Sequence, residues 1–116
     1  MVTPHVTPSK AFNSADPLPN PPPDTFPRPG RVYDAPLKFT GRSYYYGLAS
    51  GAFVIGFVYP ANGGEQRGES VDQFYDFSLP ASPGPAVVKL QHGWSADGVI
   101  QGDTYVFAVY ILTPPS

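Results

Sequence analysis

The chain has no cysteine in its 116 residues, which excludes disulfides, thiolate metal sites and cysteine nucleophiles. Charge is scarce too. Charged residues make up 14% of the sequence, where an ordinary soluble domain has about 25%. Seven basic against nine acidic side chains leave a formal charge of −2, so there is no basic stripe for nucleic acid or an anionic membrane surface. The longest apolar run, Ala52 to Tyr59, is eight residues and is interrupted by Gly56. A transmembrane helix needs about 20. The opening Met-Val-Thr-Pro-His-Val-Thr-Pro lacks the basic start and apolar stretch of a secretory signal. The expectation is therefore a protein made in the cytosol that stays soluble or joins an assembly. Helical spacing is also missing, with no ten-residue stretch carrying apolar residues at intervals of three and four.

Proline and glycine are abundant instead. Sixteen prolines and twelve glycines form about a quarter of the chain. Inside a helix each proline costs roughly 3 kcal/mol and each glycine about 1 kcal/mol, so a helical bundle is excluded. Ten of the prolines fall in residues 1–36, together with only three of the seventeen aromatic residues. Proline fixes φ and removes a backbone donor, so this segment reads as an extended, Pro-rich N-terminal arm. It is expected to be mobile and without ladder hydrogen bonds in the free protein.

Residues 37–116 read as a β domain. Leu37 and Phe39 alternate with Lys38 and Thr40. Ala52 to Tyr59 is apolar on both faces, and Asn62-Gly63 then supplies a strong hairpin turn. From Ser70 to Leu79, Val71, Tyr75, Phe77 and Leu79 oppose Asp72, Phe74, Asp76 and Ser78. Ala86 to His92 forms another strand, Asp97-Gly98 and Gly102-Asp103 mark turns around Val99-Ile100, and Thr104 to Leu112 closes the series. Short strands with a turn every 8–12 residues predict an all-β fold, a small antiparallel β-sandwich or barrel of five to six strands.

Candidate chemistry is sparse. His92, Ser95 and Asp97 contain the residue types of a nucleophilic triad, but three residues within six positions of one strand end rarely converge on one point. His92 shares a strand face with Val88 and Leu90, so a packed, hydrogen-bonded histidine is the plainer account. Asp72 and Asp76 lie roughly 13 Å apart along a strand, too far for a glycosidase pair. Glu65, Glu69 and Asp72 lack the spacing of a calcium loop. Trp94 with Tyr44-Tyr45-Tyr46 offers a possible platform for sugar rings. No catalytic residue, metal or cofactor is therefore assigned.

The strand Thr104 to Leu112 is apolar on both faces, as is Ala52 to Tyr59, whereas a small sandwich has a single interior. The second face must be covered by the arm or by another subunit. Arm at 1–36 and β domain at 37–116 together resemble the small decoration, or cement, proteins on the capsids of tailed bacteriophages. That resemblance implies a structural virion protein on the capsid surface that clamps the major capsid protein or another shell protein. It also implies a homo-oligomer, with a trimer favoured, and no enzymatic activity. The arm contacts are assigned to Phe12, Phe26, Arg28 and Arg31, and self-association to Tyr105, Phe107 and Tyr110. On this reading, removing residues 1–30 leaves a folded β domain that binds shells weakly. The competing readings are a phage tail or fibre component, a carbohydrate-binding module, and an unrecognised small hydrolase.

Overall fold

A computed structural model describes residues 17–42, 53–71, 74–96 and 99–113. Among them the protein is all-β, with no helix. The strands are β1 (Val32–Tyr33), β2 (Leu37–Arg42), β3 (Phe53–Pro60), β4 (Gln66–Ser70), β5 (Phe74–Leu79), β6 (Gly84–Ala96) and β7 (Val99–Ile111). Five form a large sheet in the order β1-β7-β6-β3-β4, and β2 pairs with β5 in a small second sheet. All pairings are antiparallel except β1 with β7, where Val32 lies beside Tyr110 and Tyr33 beside Ile111.

Turn chemistry places the β3–β4 hairpin where Asn62-Gly63 predicts it. Gly63 and Gly64 both have positive φ, 93° and 89°, and the Gly63 amide donates to the Pro60 carbonyl. The segment Ser70 to Leu79, expected as one strand, divides between the two sheets. β4 carries no apolar alternation, because its inward position is Gly68. A Cβ there would lie 2.9 Å from the Leu79 side chain and 3.0 Å from the Phe77 ring. Gly102-Asp103 is likewise not a turn. Both residues continue β7, opposite Gly93 and His92 in a ladder running from Gly84–Ile111 to Ala96–Val99.

The core lies between the sheets. Val54 and Val58 of β3, Val88 and Leu90 of β6, and Phe107, Val109 and Ile111 of β7 point inward. Leu37, Phe39, Tyr75 and Leu79 of the small sheet cover them. The Phe39 and Phe77 rings stack at 5.1 Å between centroids. The sheets approach closely at Gly56, where a Cβ would fall 2.7 Å from the ring of fully buried Phe39. Gly56→Ala is therefore expected to destabilise the fold by about 1–3 kcal/mol through overpacking. Chemical denaturation will measure it, and an unchanged midpoint would show that the two sheets are less tightly apposed.

Residues 17–36 correct the expectation of an arm free of ladder hydrogen bonds. They run along the outer edge of β7. Leu18 donates to Thr104 and accepts from Val106, Gly30 donates to Ala108, and Tyr110 and Leu112 donate to the carbonyls of Arg31 and Tyr33. Midway, Phe26 exchanges two backbone hydrogen bonds with Thr40 of β2. The segment thus ties the edge of one sheet to the edge of the other. The physical reason is the long edge of β7, whose backbone groups this segment satisfies. Proline-rich chain can do this wherever its remaining donors point at the edge.

Candidate functional site

His92 is 1% exposed, and its Nε2 shares a 2.9 Å hydrogen bond with the Tyr75 hydroxyl of the opposite sheet. The rings of Tyr75 and Tyr105 pack edge-on against it at 5.5 and 5.6 Å. Burial lowers its pKa to about 4, from an ordinary 6.5. That is the packed histidine expected from the strand pattern, joining the two sheets. Asp97 and the tyrosines 44–46 lie outside the described residues, as does Asp72. Asp76 is exposed and sits 3.8 Å from the Lys38 ammonium. Glu69 is exposed and pairs with Arg67 at 3.0 Å. Among the described residues no group of three histidines or carboxylates is placed to hold a metal ion, and no helix is long and apolar enough to cross a membrane.

The residues assigned to self-association separate into two groups. Tyr105 and Phe107 point into the core at 6% and 7% exposure, which corrects their assignment to a contact surface. Tyr110 lies on the opposite face of β7 and is half exposed. That outer face of the large sheet is largely apolar, with Arg67, Glu69, Lys89, Gln91 and Thr104 set among its apolar side chains. Ile55, Phe57 and Tyr59 of β3 lie there half-buried, while Val87 of β6 and Val32 of β1 are exposed beside Tyr110. Its central cation, Lys89, lies 4.9 Å from the centroid of the Phe57 ring. Period-two alternation reveals two apolar faces but carries no sign of which one meets the small sheet.

The residues assigned to arm contacts also divide. Phe12 lies outside the described residues. Arg28 folds back on its own segment, its Nη1 donating to the carbonyls of Pro22 at 2.7 Å, Pro21 at 3.2 Å and Thr25 at 3.4 Å. Those bonds turn Nη1 inward to shape the loop 21–28, while the residue stays partly exposed. Its amide also donates to the Tyr33 hydroxyl at 2.6 Å. Arg31 and Phe26 remain exposed.

Phe26 opens onto a feature that the sequence reading missed. A cleft of about 500 Å³ lies between loop 21–28 and the outer surface of the small sheet. Asp24 and Phe26 form one wall, and Thr40, Arg42, Phe74 and Asp76 the other. The Arg42 guanidinium carbon lies 5.8 Å from the Phe74 ring centroid. The sequence did hold a signal for this place, since Phe74 is the one aromatic residue on a strand face otherwise made of Asp72, Asp76 and Ser78.

Comparison with known proteins adds no relative. No family model, curated protein or solved structure matches the chain.

Proposed function

We propose that this chain is a non-enzymatic structural protein of a large assembly, a decoration (cement) protein on the capsid of a tailed bacteriophage. It would bind the major capsid protein or another shell protein and stabilise the shell, acting as a homo-oligomer with a trimer favoured. The observation that supports this reading is the apolar outer face of the large sheet. A monomeric antiparallel sheet in water ordinarily wets one face. Here that face carries phenylalanine, tyrosine, valine and isoleucine around Arg67, Glu69, Lys89 and Gln91, and an apolar patch rimmed by polar groups marks contact with another protein. The segment 17–36 contributes Arg31, exposed next to Val32 at the edge of that face, where neighbouring subunits would lie. A tail or fibre component would use the same surfaces.

Two measurements test the reading. Light scattering at micromolar concentration is expected to report a multimer, and Tyr110→Glu is expected to dissociate it by about tenfold or more while leaving the melting temperature nearly unchanged. Co-sedimentation with capsid shells tests the partner. A monomer that ignores shells would sink the proposal, while a multimer that ignores them would retain self-association and remove the capsid.

A further inference from the structure

The cleft between loop 21–28 and the small sheet has the composition of a site for a small polar ligand with an apolar face. Two phenylalanines open into it, Phe26 at 46% and Phe74 at 67% exposure. The two rings offer flat apolar faces to a ligand entering the cleft. Polar groups surround them. The Asp24 carboxylate makes no hydrogen bond or ion pair to any described residue. Asp76, Arg42 and the Thr40 hydroxyl line the facing wall.

Charge decides the class of ligand. Asp24 and Asp76 are offset by Arg42 within the cleft and by Lys38, which pairs with Asp76. An anion would meet two carboxylates, and a cation would meet Arg42, which already lies over Phe74. A neutral ligand that both donates and accepts hydrogen bonds matches all four groups. A pyranose does so while presenting a flat C–H face to an aromatic ring. We propose that this cleft binds a sugar ring of a mono- or disaccharide. The ring stacks on Phe26, its hydroxyls donate to Asp24 and Asp76, and they accept from the Thr40 hydroxyl. The cleft is broad and open to solvent, which suits a ring that stacks by one face and keeps the other in water.

The wall that carries Phe26 is built in advance. Arg28 ties the carbonyls of Pro21, Pro22 and Thr25 together, the Thr25 amide donates to Pro22, and Phe26 is fixed to Thr40 by two backbone hydrogen bonds. Ordering costs on binding are correspondingly small. The site does not depend on the assembly reading, since it lies on the small sheet rather than on the apolar outer face of the large one.

The test is a nuclear magnetic resonance titration of the full chain. The probes are methyl mannoside, methyl galactoside, N-acetylglucosamine and maltose, each taken to tens of millimolar, with acetyl-arginine amide as the cationic control. At least one sugar is expected to give saturable shifts centred on Asp24, Phe26, Thr40, Arg42, Phe74 and Asp76. Phe26→Ala and Asp24→Asn are each expected to weaken that sugar about tenfold, equivalent to 1.4 kcal/mol. Phe26→Tyr retains the stacking face and is expected to bind normally, as is Tyr110→Glu on the other sheet. Melting curves establish that each variant is folded. Absence of saturable shifts with every sugar overturns the proposal. So does binding that both cleft variants leave intact, or saturation by acetyl-arginine amide alone.

Discussion

A chain shortened to begin at Pro36 is expected to lose its cooperative fold and to aggregate. The deletion removes every partner that residues 18–33 provide to β7, leaving the amides of Val106, Tyr110 and Leu112 to water. It also removes buried Thr25 and Pro27 and the half-buried Tyr33 that packs against the core. A domain of this size has only about 5–15 kcal/mol of net stability, so losing several kcal/mol of burial and edge hydrogen bonding takes most of it. The uncovered edge of β7 would run for thirteen residues, a ready template for pairing with another chain. Size-exclusion chromatography and thermal unfolding measure the result, with a fall in melting temperature of about 4–8 °C for each kcal/mol lost. A monomer that melts like the full chain would restore the view of residues 17–36 as a detachable arm. The removal of residues 1–30, expected from sequence to spare the β domain, takes with it Leu18, Thr25, Phe26 and the Gly30 amide. It falls under the same prediction.

Acid is expected to weaken the fold through His92. Its folded-state pKa of about 4 lies below the ordinary 6.5, because burial disfavours the charged imidazolium. Between those values the unfolded chain binds the proton and the folded protein does not, so stability rises with pH across this window. The stabilisation is fully present above pH 6.5 and is lost as pH falls toward 4. The loss amounts to about 3 kcal/mol, at 1.36 kcal/mol for each pH unit of difference. Asp76 and Glu69 sit in exposed pairs that contribute little to this slope. Urea denaturation at a series of pH values measures the slope, and His92→Gln is expected to flatten it at some cost in stability. Tyr75→Phe leaves the imidazole without its 2.9 Å partner and is expected to cost about 1–3 kcal/mol at neutral pH. A slope that persists unchanged in His92→Gln would place the acid sensitivity in the carboxylates instead.

The sequence alone determined the fold class, because the features that specify it are local. Proline and glycine excluded helix, period-two alternation drew β2, β5 and the Ala86–His92 part of β6, runs apolar on both faces drew β3 and most of β7, and Asn62-Gly63 set a hairpin. His92 was legible as a core residue because it shares the parity of Val88 and Leu90. Only the tertiary structure decided the rest. β4 has a glycine where a core side chain would sit, and the reason for that glycine, the approach of Phe77 and Leu79, lies in another sheet. β1 is two residues long and exists because β7 has an edge to satisfy. Tyr105 and Tyr110 both lie on a strand apolar on its two faces, and nothing local separates the buried one from the exposed one. The cleft joins Asp24 and Phe26 to Phe74 and Asp76, some fifty positions along the chain, through the pairing of Phe26 with Thr40 and of Thr40 with Asp76. Sequence patterns record what each residue prefers within its own strand. Which faces meet, and which edges close, depends on long-range pairing that no local pattern carries.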